Sequence, residues 1–167
     1  MLDFEKVREE KVRFFENHHT IVLATSHNGE VTARTVSYAS EGLDFYILSW
    51  NHHEKILQLK ENPNVALARD NVSMKCVAEI LGNPLDEKCK TGAEAIRKKR
   101  PREFETYCRI PGMTMIKVTP RYIKSWVPID NRFYIEHLDL EKGQAYLQKP
   151  AEHKMQPNSL TDPIGKR

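Results

Sequence analysis

The sequence predicts a mainly β domain, an antiparallel β-barrel with peripheral helices. Short runs rich in apolar and β-branched residues recur with turn signals at roughly 8 to 12 residue spacing. One helical segment falls between the third and fourth of these runs, and the other helical stretches lie outside them. A barrel of this size fills its own interior with side chains. Ligands are therefore expected outside it, on strands and loops or at a contact between subunits.

The first element is an amphipathic helix from Asp3 to Asn17, with Phe4, Val7, Val12, Phe14 and Phe15 among charges and Asp3 as its cap. Its Glu, Lys and Arg residues read as a solvated face. Thr20 to Thr25 is the first strand, closed by Ser26-His27-Asn28-Gly29, which is good hairpin-turn chemistry. Val31 to Ala39 alternates as the second strand, and Leu43 to Leu48 follows the Ser40-Glu41-Gly42 turn as the third. The three form a meander.

A helix is expected to begin near Asn51 or His52, with Asn51 as cap and Glu54 completing the capping pattern. Ile56, Leu57 and Leu59 would face inward, and Asn62-Pro63 stops it. Val65 to Arg69 and Lys75 to Leu81 are two further strands. Asp86 to Tyr107 is helical in character and broken at Pro101. Its basic run, Arg97 to Arg102, is read as a solvated helix end diluted by Glu87, Glu94, Glu103 and Glu105. Met113 to Val118 and Tyr122 to Val127 form one long strand with an irregularity at Pro120. Arg132 to Glu136 and Gln144 to Leu147 add a hairpin through Glu141-Lys142-Gly143. One domain over residues 1–148 is expected, with 149–167 an irregular tail containing Pro150, Pro157 and Pro163.

Composition narrows the function classes. The chain has 167 residues, 40% of them hydrophobic and 29% charged, with 26 basic and 23 acidic residues giving a net charge of +3. This suits one globular domain and does not demand a nucleic acid. No apolar run approaches the ~20 residues that span a bilayer, and the charged N-terminus does not read as a signal peptide, so no membrane partner is expected. Cys76, Cys89 and Cys108 form no C-x-x-C pair, which argues against a disulfide framework and for a reducing cytoplasm. The pairs His18-His19 and His52-His53 do not have the spacing of a metal site.

Chemistry concentrates between Glu30 and Asn64. Alternation sets Arg34, Val36 and Tyr38 on one strand face and Thr35, Ser37 and Ala39 on the other. A planar guanidinium with neighbouring hydroxyls suits a phosphate. Lys55 follows a strand end and a helix cap, where backbone N–H groups favour anions, and Ser49 adds a hydroxyl nearby. Together they outline a phosphate cradle.

The segments Arg34-Thr35-Val36-Ser37, Phe45 to Ser49, Lys55 and Glu61 to Val65 resemble the flavin-binding core of the pyridoxamine 5′-phosphate oxidase-like, FMN-binding split-barrel family. The resemblance is good over residues 15 to 82 and thinner to about residue 136. It implies a six-stranded Greek-key split barrel, a homodimer, and FMN at the subunit interface. By position it implies Arg34 and Lys55 on the FMN phosphate, and Thr35, Val36 and Ser37 along the isoalloxazine. Ser49 replaces a family threonine near the phosphate, His53 is placed to touch that phosphate, and Trp50 to stack on flavin or a second subunit.

Departures from the family pattern are equally specific. The usual Ser-Arg-Lys is His53-Glu54-Lys55, and Ala39 stands where the oxidase has a lysine for its substrate's phosphate. Trp126 and Arg132 match the late oxidase motif, but Tyr134 replaces its histidine. These differences point to a general stress protein-like branch rather than to the oxidase itself. An FMN-dependent oxidoreductase acting on a small organic acceptor is the leading expectation. The alternatives are a non-catalytic flavin-binding or stress-related protein, a nitroimidazole-reductase-like detoxifying enzyme, and a relative holding haem or a deazaflavin in the same cleft.

Overall fold

A computed structural model describes residues 1–149. Its first element, α1 (Phe4–Glu16), is capped as expected: the Asp3 carboxylate accepts from the Lys6 N–H at 3.0 Å. The buried stripe is Val7, Lys11 and Phe15, spaced four apart. Lys11 thus departs from the solvated face expected of the helix charges. Its ammonium lies 2.5 Å from Glu136 Oε1, and the ion pair is almost wholly enclosed.

Strands β1 (Thr20–His27) and β2 (Glu30–Ser37) form the first hairpin. Its turn residues, Asn28 and Gly29, both have positive φ (51° and 80°), the geometry for which Asn-Gly is favoured. The expected second strand bends at Tyr38 and continues as β3 (Ala39–Glu41), which pairs with β4 (Asp44–Trp50). After α2 (Glu54–Glu61) come β5 (Asn64–Arg69) and β6 (Val72–Gly82). A 3-10 turn (Glu87–Cys89) leads into α3 (Lys90–Lys99) and α4 (Pro101–Tyr107), divided where proline was expected to break the helix. The long strand β7 (Met113–Ile129) precedes the hairpin partners β8 (Arg132–Asp139) and β9 (Gln144–Gln148). The tail beyond residue 149 lies outside the described residues.

All pairings are antiparallel, and the strand order β2-β1-β5-β6-β7-β4-β3 closes on itself because β2 and β3 are two halves of one bent strand. Off this path, β8 pairs with β7 and with β9 and so extends the sheet beyond the barrel. The bend is anchored from both sides. The Tyr38 N–H donates to the His19 carbonyl at 3.2 Å, and its phenol donates to the Phe15 carbonyl at 2.7 Å. Opposite β6, β7 carries its irregularity where expected: Lys75 faces Tyr122 but Cys76 faces Pro120, leaving Arg121 without a partner residue.

Two apolar clusters result. Phe15, Ile21, Leu23, Phe45, Leu67 and Ile123 belong to the barrel core. Tyr46, Ile96, Phe104, Cys108 and Met115 form the second cluster, which docks α3 and α4 on the outside of β4 and β7. Cys76 is a small buried residue of the barrel core, its thiol pushed up to about 12 by burial.

The α3 docking depends on a missing side chain. A Cβ on Gly92 would lie 2.4 Å from Tyr46 Cδ1 and 2.5 Å from Met115 Sδ, and both neighbours are buried. Gly92→Ala is expected to cost about 1–3 kcal/mol by overpacking, despite the better helix propensity of alanine. Urea unfolding checks this; a variant as stable as the parent would show that α3 can slide.

The basic run is less solvated than expected. Lys99 donates to the Phe15 carbonyl at 3.1 Å and lies 4.3 Å from the Tyr38 ring centroid. Arg100 donates to the His19 carbonyl at 2.9 Å and is ion-paired with Glu103. Arg97 covers the Phe104 ring. Lys99 and Arg100 fasten the α3–α4 corner to the end of α1 and the start of β1, and Arg97 joins α3 to α4, whereas Lys98 remains exposed.

Candidate functional site

A cavity of about 330 Å³ opens where the bend between β2 and β3, the end of β4, the approach to α2 and the helices α3 and α4 meet. Val36, Ser37, Tyr38 and Ala39 supply one wall. Tyr46, Leu48, Ser49, Trp50, His53, Lys55 and Met113 supply a second, and Ile96, Arg100, Glu103 and Tyr107 a third. The cavity is aromatic and apolar along β4 and polar where the chain turns into α2.

That turn is held from outside. The Asn51 N–H donates to the Gly112 carbonyl at 2.9 Å, and the His53 N–H donates to the Trp50 carbonyl at 3.1 Å. Asn51 therefore belongs to a turn pinned to the start of β7, and α2 begins at Glu54 with His53 as its N-cap. This corrects the expected cap at Asn51. Leu57 points outward and is exposed, while Ile56, Gln58 and Leu59 are buried. The inward place expected for Leu57 is thus not taken.

Lys55 and His53 face one another in the polar end. The Lys55 Nζ lies 3.2 Å from His53 Nδ1, and Ser49 Oγ lies 3.4 Å from the same nitrogen. Burial and then the nearby Arg34 charge lower the Lys55 pKa. Burial, then Lys55 and His52, lower that of His53, which favours a neutral imidazole. Among the described residues no carboxylate is ion-paired with Lys55.

Arg34 stands behind this group rather than in the cavity wall. Its Nη1 donates to Thr25 Oγ1 at 2.6 Å and to the Leu23 carbonyl at 3.2 Å, and its Nη2 donates to Thr32 Oγ1. The exposed Glu54 carboxylate is 3.8 Å away. Burial lowers the Arg34 pKa, against the opposing pull of Glu54.

The structure therefore gathers Val36, Ser37, Ser49, Trp50, His53 and Lys55 around one cavity, with Arg34 adjacent through its field on Lys55. Thr35 lies apart. It projects outward beside Ile21, Val22 and Ala68, in a shallow cleft on the other side of β2. Trp126 is exposed near the far end of β7 and does not line the cavity. The third wall was not foreseen. Pro101 marks the helix break, but which helix faces reach β4 depends on contacts distant in sequence. Gln58, Thr25 and Thr32 were also missed, because their polar network is buried under a strand pattern that reads only as apolar alternation.

Chemically, the site offers cationic and hydroxyl donors to an anion at one end and a flat apolar wall beside them. A closed antiparallel barrel with such a cleft on its outside defines the class of split barrels. The family described as Pyridoxamine 5′-phosphate oxidase matches residues 7–127, and the chain belongs to this family.

Solved structures with the same fold include Campylobacter jejuni ChuZ, at 17% identity and a TM-score of 0.66 over 83% of this chain and 61% of that one. The chain thus spans less than two thirds of the length of ChuZ. HutZ from Vibrio cholerae, described as a heme storage protein, is 14% identical with a TM-score of 0.58, over 71% of this chain and 91% of that one. A FAD-binding protein from Mesorhizobium loti is 16% identical with a TM-score of 0.52, over 68% of this chain and 88% of that one. At these identities the likeness is one of fold, and that fold serves flavin-binding and haem-binding proteins alike. A comparison with curated proteins found no match. No helix of the described residues is long and apolar enough to cross a membrane.

Proposed function

We propose that the chain is a homodimeric FMN-binding oxidoreductase of the cytoplasm, of the general stress protein-like branch, passing electrons to a small organic acceptor. The carrying observation is the gathering of Lys55, His53 and Ser49 at the polar end of an aromatic-lined cavity, with Arg34 behind them and near enough for its charge to bear on Lys55. Like charges held together and partly desolvated are relieved by a bound anion. A phosphate at that end would meet Lys55, His53 and Ser49, with Arg34 contributing its charge from behind.

The rest of the cavity fits a flat ring system. Tyr46, Leu48, Trp50 and Met113 would lie against its apolar surface, and the Val36 to Ala39 backbone would border its edge. Isoalloxazine, when bound, supplies hydride acceptance at N5 and a reduced form that donors near N1 stabilise. The chain's part is to bind, orient and exclude water. No side chain in the cavity stands out as an acid or base for the reaction.

A cavity of about 330 Å³ falls within the ~300–1,000 Å³ range of small-molecule sites, and in a homodimer the second subunit would border it. Thr35, facing outward one residue before Val36, would then contact that partner rather than the ring through its side chain.

Titration with FMN, followed by flavin fluorescence, tests the reading. Lys55→Ala should weaken binding by about 1.5–3 kcal/mol, the scale of a hydrogen bond to a charged group, and Arg34→Ala should weaken it in the same direction through the loss of its charge behind Lys55. Protein that takes up no FMN sinks the proposal. Multiple turnover of an acceptor by the loaded protein separates an oxidoreductase from a flavin-storing stress protein, and nitroaromatic acceptors address the reductase alternative.

Haem in the same cleft is the second reading. It is favoured by His53, whose lowered pKa suits an imidazole ligand to iron, beside cations that could meet propionates. A Soret band on adding haem, lost in His53→Ala, would select it over FMN.

A further inference from the structure

Behind the cavity, four polar side chains form a closed arrangement that nothing in the cradle itself requires. Gln58 is buried in α2, and Thr25 is buried on β1. Thr25 Oγ1 donates to Gln58 Oε1 at 2.5 Å, and Thr32 Oγ1 donates to the same oxygen at 2.9 Å. Each hydroxyl has one proton, and both protons are thereby committed to the glutamine. The lone pairs of both oxygens are left to accept from the Arg34 guanidinium, which donates Nη1–H to Thr25 and Nη2–H to Thr32.

The consequence is directional. Without an acceptor at Gln58, either hydroxyl could turn its proton toward the guanidinium and repel it. With that acceptor, the two threonines hold the guanidinium at two nitrogens, and the Leu23 carbonyl takes a third bond. Arg34 is thus fixed at the back of Lys55, although among the described residues its only counter-ion is the loose, solvent-exposed Glu54.

We propose that Gln58 is a positioning residue for the anion site: through Thr25 and Thr32 it orients Arg34 so that its charge falls on the phosphate end of the cavity. This rests on the flavin-phosphate reading and names the residue that sets its specificity for a phosphorylated over an unphosphorylated flavin. The α2 helix carries both the cradle lysine and, three residues on, the glutamine that aims the cradle arginine. One rigid element therefore couples the two cations, which β2 alone could not do.

The experiment compares FMN with riboflavin, which shares the ring system and lacks the phosphate. Parent protein should prefer FMN, and Gln58→Leu should lower that preference about tenfold while riboflavin affinity stays unchanged. Gln58→Glu keeps an acceptor for both hydroxyls but puts a negative charge beside Arg34. It should lower the preference too and flatten its salt dependence. Thr32→Val, a near-isosteric change on the strand, should act in the same direction and decides the matter if a Gln58 variant fails to fold, as judged by circular dichroism. Folded variants that keep the parental FMN-to-riboflavin ratio overturn the inference. A parent that binds the two flavins equally overturns the phosphate reading itself, and the inference with it.

Discussion

Lys11→Ala should destabilise the fold by about 3–5 kcal/mol, because it strands the Glu136 carboxylate in a site that water barely reaches. The pair joins α1 to β8, and Lys11 occupies the middle of the stripe that the helix buries between Val7 and Phe15. The lost charge is only part of the cost. Most of it is the carboxylate left desolvated with no partner. For a chain of this length the loss corresponds to a fall of roughly 6–20 °C in Tm. Thermal and urea unfolding check the figure. The double variant Lys11→Met, Glu136→Leu should recover most of the stability, since removing both ions also removes both desolvation penalties. If Lys11→Ala costs less than about 1 kcal/mol, Glu136 must find water or another cation.

Phe104→Ala should be of similar size, about 3–5 kcal/mol, for a different reason. The ring is 1% exposed, lies in the cluster between α4 and the sheet, and is covered by the Arg97 guanidinium at 4.3 Å from its centroid. Its removal leaves a cavity under a helix of only seven residues, which has little stability of its own. Because Glu103 precedes Phe104 directly and Tyr107 follows three residues on, the third wall of the cavity would loosen with it. Flavin affinity and unfolding free energy should fall together, and Phe104→Leu should restore most of both. A variant that lost stability but bound flavin normally would show that α4 is no part of the site.

The barrel was largely legible in the sequence, and the site only in part. Alternation in β1, the Asn-Gly turn, Pro101 between the two helices and Pro120 in β7 all state local rules that tertiary contacts did not override. Lys11 was misread because a helical wheel sees a lysine as solvated until a carboxylate from β8, far away in sequence, arrives to pair with it. The start of α2 was misread for a like reason. Asn51 has good capping chemistry, but the Gly112 carbonyl claims its N–H and holds it in the turn. Lys99 and Arg100 find carbonyl acceptors at the junction of α1 and β1, a meeting that no spacing rule encodes. Ser49, His53 and Lys55 were legible because a strand end and the helix after it bring them together within seven residues. The helical wall of Ile96, Arg100, Glu103 and Tyr107 was not, because it is assembled across the second apolar cluster.

The bend at Tyr38 bears on how such a protein can diverge. The residues that border the cavity, Val36 to Ala39, are the same ones by which the sheet returns to its own beginning. Cavity shape and architectural closure are therefore written in one short stretch of backbone. New specificity cannot easily be selected there by insertion or deletion, since a shift of one residue would turn every side chain beyond it to the opposite face. Variation is cheaper in the α3–α4 segment, which touches the cavity without closing the sheet. Divergence among proteins of this build should therefore accumulate in those helices while the bent strand keeps its length.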